Sequence, residues 1–380
     1  DVIDLAPVTV DVREEGQTST IWSGQVTFIT STIVDSDGAS HDFDRPTALG
    51  ALDAAASAGG FSYVASPAWG SLYISEVAGE APAGMDGWMY RVDWISPDVG
   101  AGNYVLGPSQ TVLWYYAAWG AKPMRLMVDS DVLEQGQTLT ATVDAYDDMT
   151  STWGPVEGAT LYVDSVNYTT DASGQVIISL SAGYYTLYAG KETYATYTRS
   201  NRVNVDVHGP PFTLYPGWNF VSVPRKLAPG FDTAEQLFGE VDTAGHSIFQ
   251  YSPASGWTPI GAGDVVSPLD GIWVFSTSQQ TLQLPFDTMP RRVPPTKQLG
   301  AGWNAIGFAN LSPLSANSTL TSVESKWSIL IGFNAQTRSY ESSIINNHVG
   351  GVHDESTAMD IWKGYWLYMN SGGELAAISP

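Results

Sequence analysis

Along most of this chain, apolar and polar residues alternate with a period of two, and Gly, Pro, Asp and Asn interrupt the alternation every few residues. An extended chain puts successive side chains on opposite faces, so the pattern predicts strands with one buried face joined by turns. Segments 8–14, 23–34, 110–119, 138–146, 159–166, 174–180 and 184–190 read this way. Two helices are expected. One follows Pro46, with Thr47 as its N-cap, Leu49, Leu52 and Ala56 on one face, and a stop at Gly59-Gly60. The other starts at Asp232, where Asp-Thr-Ala-Glu235 has the spacing of a capping box, and runs through Leu237 and Phe238. The fold class is mainly β: tandem small β-sandwich or β-rich modules with a few short helices.

A chain of 380 residues exceeds one compact core. Breaks fall at Gly120–Pro123, His208–Pro211 and Pro290–Pro295, giving expected modules 1–121, 122–208, 209–295 and 296–380. Pro-Pro linkers are stiff and extended, so the modules are expected to be held apart at a set spacing. Acids outnumber bases 39 to 16 for a net charge of -23, which argues against nucleic acid and anionic lipid as partners. With no cysteine, disulfides, thiolate metal sites and cysteine nucleophiles are excluded. No apolar run is long enough for a transmembrane helix. The start Asp1-Val2-Ile3-Asp4 reads as a mature product after cleavage, and residues 1–7 read as an arm for a neighbour or as a disordered tail. Asn167, Asn310 and Asn317 stand in glycosylation sequons.

Pro-Gly-Trp-Asn at 216–219 returns as Ala-Gly-Trp-Asn at 301–304. Ile248–Tyr251 followed by Trp257 is matched by Ile331–Phe333 followed by Tyr340, and Asp270-Gly-Ile-Trp273-Val-Phe275 by Lys363-Gly-Tyr-Trp366-Leu-Tyr368. Gly217 and Gly302 would permit positive φ at a strand start. Trp218 and Trp303 would supply a large buried wedge, and Asn219 and Asn304 would bond the turn backbone. Trp273 and Trp366 mark the closing strand. The motif reads as a structural device copied by duplication rather than as an active site.

Three resemblances follow from these residues. PTALGALDAA (46–55), GGFSYVASPAWGSLYISEV (59–77), GWMYRVDW (87–94) and GAGNYVLGPSQTVLWYY (100–116) resemble a surface-protein domain of unknown function related to the C-terminal β domain of transcobalamin. In transcobalamin that domain closes over a corrinoid, so the resemblance implies an exported β domain and leaves a ligand open. Residues 154–194 resemble an immunoglobulin-like or carboxypeptidase-regulatory-like sandwich. The doubled Gly-Trp-Asn pattern is similar to modules of archaeal and bacterial surface proteins, many of which continue into an anchor; this chain stops at Ser379-Pro380, which reads as anchor cleavage or non-covalent attachment.

Trp69, Trp88, Tyr90, Trp94, Trp114 and Tyr116 concentrate aromatic surface in the first module, either as core and module contacts or as a ligand-binding face. Asp35-Ser-Asp37-Gly38, with Asp42 nearby, resembles the start of a calcium loop, but Pro46 stands where the twelfth-position Glu belongs, and Asp-Gly is also a hairpin turn pair. Asp144, Asp147, Asp148 and Asp171 form a second acidic group, and His348 and His353 lie in an acidic loop segment. Hydrolase, zincin, phosphate-loop and dinucleotide motifs are absent, so no enzyme is expected, although a glycan hydrolase needs no linear motif. The expected function is an extracellular structural protein that self-assembles into a cell-surface layer, sheath or filament, without a cofactor unless Ca2+. Its partners would be copies of itself and cell-envelope glycans. The alternative is an extracellular adhesion or ligand-binding protein for a corrinoid, glycan or peptide, using the aromatic first module.

Overall fold

The computed structural model describes residues 6–68, 71–191, 196–289 and 293–377. The chain forms two units, one of Asp1–Asp129, Thr140–Ile178 and Thr186–Val203, the other of Ser130–Leu139, Ser179–Tyr185 and Asn204–Pro380. The division runs through the sandwich rather than along a linker. Mainly β structure with short helices is what the alternation predicts.

In the first unit, β1 (Val8–Glu15) pairs antiparallel with β2 (Thr20–Phe28). Short hairpins follow, β3 (Ser31–Val34) with β4 (Ser40–Phe43), and, after helix α1 (Ala48–Gly59), β5 (Tyr63–Ala68) with β6 (Ser71–Val77). Strands β7 (Gly87–Val92) and β8 (Thr111–Ala117) complete a sheet of order β2-β1-β8-β7, in which β1 and β8 run parallel. The predicted strand 23–34 is thus two strands. Helix α1 begins where Thr47 Oγ1 accepts from Gly50 N–H at 3.1 Å. It ends where Gly60, at φ 67°, donates to Ala56 O at 2.9 Å. Leu49 and Leu52 are buried against Val10 and Val12 of β1.

The aromatics of this module are chiefly core. Trp88, Trp114 and Tyr116 are at most 4% exposed and pack in the cluster under α1. Tyr90 stacks on Trp114 at 5.3 Å. Trp94 lies on the other face of the sheet, edge-to-face with Trp153 of the sandwich. Of the two readings of these residues, core or ligand face, Trp88, Trp114 and Tyr116 take the core, while Tyr90 and Trp94 are half-buried; both sides of β8 are covered, Leu113 and Tyr115 being as buried as Trp114 and Tyr116. Trp69 lies outside the described residues.

The sandwich follows directly. Strand Lys122–Val128 pairs with Thr138–Asp147, which buries Leu139, Ala141, Val143 and Ala145 in alternation. Thr160–Val163 pairs with Val166–Thr169 and with the strand Gly183–Gly190. The first module and the sandwich are not held apart. Arg91 is 2% exposed and grips Asp148 through two bonds of 2.8 and 2.6 Å. It also donates to the Tyr115 hydroxyl and Trp94 O. Arg125 lies 3.9 Å from the Trp153 ring centre and pairs with Asp144, while Lys122 pairs with Asp147. Of the second acidic group, three members are therefore partners of basic side chains, and Asp171 caps its own turn through Ser173 and Gln175.

Two neighbouring carboxylates of β1 have opposite surroundings. Glu15 is bound by Arg199 at 3.0 Å and by the Thr20 hydroxyl. Glu14, fully buried opposite Trp22 and Trp114, has no partner for either oxygen. Burial, helped by the negative charge of Glu15, pushes the Glu14 carboxyl well above the usual range. The folded state thus keeps a proton that the unfolded chain releases, so the stabilising contribution of Glu14 is present at acid pH and is lost as pH rises from the ordinary glutamate value toward the raised folded one. Thermal melts should show Glu14→Gln equal to wild type near pH 4. The variant should gain over wild type by up to about 1.4 kcal/mol per pH unit above that, levelling off at the folded pKa. A pH-independent difference would contradict the protonated state.

Candidate binding surface on the paired repeats

The second unit contains both Gly-Trp-Asn repeats. In the first, the Gly-Trp-Asn strand Gly217–Val221 pairs with the closing strand Ile272–Ser276, which pairs with Phe249–Ser252 and its hairpin partner Gly256–Pro259. In the second, Gly302–Gly307 pairs with Gly364–Met369, which pairs with Trp327–Asn334 and, by a hairpin, Ser339–Tyr340. The registers correspond: Phe249 faces Trp273 as Ile331 faces Trp366, and Tyr251 faces Trp257 as Phe333 faces Tyr340. The helix of the first repeat, Ala234–Phe238, is capped by Thr233, one residue after the expected Asp232.

Gly217 and Gly302 have φ of 106° and 96°, which gives the repeated glycine its backbone reason. Asn219 and Asn304 do the same work at each strand start. Asn219 accepts from Tyr215 N–H and donates to Tyr215 O and Gly217 O; Asn304 accepts from Gly300 N–H and donates to Gly300 O and Gly302 O. The expectation for Trp218 and Trp303 is corrected: both are half-buried, because their strand turns them to the face opposite the aliphatic core.

The repeats are not held apart by the proline segment; they interlock. Val221 bridges Lys363 and Ile306 bridges Asp270, one contact made twice with the partners exchanged. Ser222 N–H donates to Trp362 O at 3.0 Å, and Gly307 N–H to Leu269 O at 2.8 Å. Each repeat has one face on its own aliphatic core and one aromatic face, and the two aromatic faces meet at Phe220, Trp273 and Ala305. Tyr251 of the first repeat lies edge-on to Trp366 of the second at 5.2 Å, and Phe333 of the second lies 5.0 Å from Trp273 of the first.

Where the faces part, two shallow grooves remain. One, of about 430 Å³, is lined by Trp218, Phe249, Trp257, Trp273 and Tyr340. The other, of about 360 Å³, is lined by Trp303, Ile331, Tyr340, Trp366 and Tyr251. Four lining positions of the first recur as their repeat equivalents in the second. Trp257 is 54% and Tyr340 59% exposed, uncommon values for such large rings. In the sequence these residues align as structural repeat positions; what sets them apart is that aromatics sit at matching offsets on an outer hairpin, where no aliphatic partner alternates with them.

The other candidates lie elsewhere. Asp35 closes the β3–β4 turn: its carboxylate accepts from Asp37 and Ala39 N–H and binds His41 at 2.7 Å, which holds its pKa below the usual range. Asp42 accepts from Thr32, and Asp37 is exposed. Among the described residues no group of three His, Cys, Asp or Glu is placed to hold a metal ion. The His353 ring bonds Ser343 O, and Asp354 caps the loop at Gly350 and Ser356. Asn167 and Asn317 are exposed and Asn310 is half-buried. Among the described residues, no helix is long and apolar enough to cross a membrane.

Residues 46–118 match the family model of a domain of unknown function, DUF4430, which is related to the C-terminal domain of transcobalamin. No curated protein matches the chain. A crystal structure of a tetra-tandem repeat in the extending region of a large adhesion protein aligns with 97% of this chain and 100% of its own, at 11% identity and a TM-score of 0.17. A score that low carries no argument about fold or function.

The asparagine clasp yields a stability test. Asn304→Ala and Asn219→Ala each remove an amide that is at most 2% exposed and strand buried backbone groups. Each should cost about 2–3 kcal/mol in denaturant unfolding of the second unit. A loss within about 0.5 kcal/mol would show that water replaces the side chain.

Proposed function

We propose that this chain is a binding protein of the cell surface, an adhesin-like array of β modules whose target contact lies on the paired repeats. The observation that carries this reading is the pair of aromatic grooves, repeated at equivalent positions and topped by exposed Trp257 and Tyr340. Contiguous exposed aromatic surface marks interaction sites, because leaving it in water is unfavourable unless something covers it. The reading keeps the extracellular location and moves the expected contact from the first module to the repeats. Binding rather than catalysis is favoured because the groove linings hold no acid, base or nucleophile beyond tyrosine hydroxyls.

Self-assembly into a layer, sheath or filament is the second reading. Val166–Thr169 ends its run of paired strands with Val166 half exposed, the kind of edge to which another strand can add.

Co-sedimentation with insoluble envelope material of the native cells separates the two. The full chain should bind, and the double variant Trp257→Ala/Tyr340→Ala should lose roughly tenfold or more, since anchoring aromatics each contribute above about 1 kcal/mol. Unchanged binding by the variant would remove the grooves from the contact. Polymers of the chain alone, formed equally by both proteins, would favour the assembly reading.

A further inference from the structure

The lining of the two grooves restricts what fills them. The walls are flat rings set at steep angles: Trp257 meets Trp273 at 69° in the first groove, Tyr251 meets Trp366 at 73° in the second, and Trp257 and Trp366, one from each groove, meet at 85°. A ligand must therefore offer a flat apolar face. Both grooves are shallow and edged by half-exposed rings, so the far side of the ligand stays in water and must be polar. No charged side chain lines either groove. The charges near the second are satisfied internally, Lys363 lying 2.6 Å from Glu341 and 2.8 Å from Asp360.

Charge then separates the classes of polymer. A chain of net charge -23 repels polyanions such as acidic polysaccharides, phosphate polymers and nucleic acid. A cationic peptide would be drawn by that field but would find no carboxylate in either groove. What remains is uncharged, flat, apolar on one face and hydroxylated at the rim. A pyranose ring has this form: its axial C–H groups, slightly positive, stack on the negative face of an indole or phenol. Two equivalent grooves on one surface suit a ligand that repeats its own face, and one residue, Tyr340, lines both.

We propose, resting on the reading of the repeats as a binding surface, that the grooves are twin subsites for a neutral polysaccharide, with Tyr340 common to the two. The subsites are unequal. The first presents Phe249 and Trp257 where the second presents Ile331 and Tyr340, so the first offers the larger stacking surface and binds a single short oligosaccharide more tightly.

The test is calorimetric titration of the full chain with soluble neutral glucans and mannans, with a polyuronate as the charged counterpart. Tryptophan fluorescence and a thermal melt accompany each variant, and Trp119→Ala, an 86% exposed residue outside the grooves, serves as the control. Wild type should bind a neutral polymer and not the polyuronate. Trp257→Ala and Trp303→Ala should each keep one class of site for a short oligosaccharide and lose about tenfold or more for the long polymer, because linked binding is lost. Tyr340→Ala should weaken both sites, and Trp119→Ala neither. Equal binding of polyuronate would overturn the charge argument. Absence of neutral-glycan binding by a chain that still sediments with envelope material through the same residues would overturn the ligand class and leave the binding surface standing. If the chain sediments with nothing, both fall, and concentration-dependent self-association lost in Tyr340→Ala would assign the surface to a second copy instead.

Discussion

Leu269 and Trp362 hold equivalent places in the two repeats, and each is packed in the core of the other. Leu269 is 1% exposed among the aliphatics of the second repeat, and Trp362 stacks on Phe212 of the first at 5.1 Å. Both sit at positive φ, 73° and 68°, a backbone state that bulky residues avoid at a cost of about 1–3 kcal/mol. Burying a large apolar side chain stabilises by about 1.5–3 kcal/mol, so the exchange offsets the strain only when both repeats are folded and docked. Neither repeat closes its core alone. The aromatic faces are consequently held at one fixed separation, and the grooves inherit that geometry.

In the first unit the corresponding constraint is electrostatic. The chain has 16 basic residues against 39 acidic ones, and two of the bases, Arg91 and Arg199, pair across the border between the first module and the sandwich. Arg91, Arg125 and Lys122 pair with Asp148, Asp144 and Asp147, and Arg13 and Arg199 both approach Glu15. A buried guanidinium with a two-point carboxylate partner tolerates little rotation, since tilting it breaks both bonds together.

How much of this was legible in the sequence depends on the range of the interaction. Thr47 and Gly60 bound α1 as their residue types require, and Gly217, Asn219, Gly302 and Asn304 act within a few residues of themselves. Such local devices read directly. Which face of a strand is covered does not, because alternation supplies two faces and leaves open which meets the core. Trp218 and Trp303 were therefore expected inside and lie at the grooves, while Trp88, Trp114 and Tyr116 were candidates for a ligand face and lie inside. The acidic turn at Asp35 reads from the sequence as a cation loop or as a hairpin, and the contact of its carboxylate with the His41 ring, six residues on, is not legible there. The prolines between modules gave no sign that the repeats interlock, since every contact that locks them joins residues far apart in the chain.

The two grooves are lined from equivalent positions of the two repeats, but the interface between the repeats is not symmetric. At the centre of the interface Phe220 faces the position of its own counterpart, Ala305. Phe220 stacks on Trp273 at 4.6 Å and reaches Trp366 at 5.4 Å. Gly364 lies so close beneath it that an added Cβ would fall 2.4 Å from the ring. A second phenylalanine at 305 would need the same space, and closely packed interiors do not make room for a whole ring without displacing the strands. One copy had to carry the large residue and the other the small one. The flanking pairs differ as well, Phe249 with Ile331 and Trp257 with Tyr340. The inequality of the grooves goes with an interface that is itself unequal, a ring at 220 and a methyl group at 305.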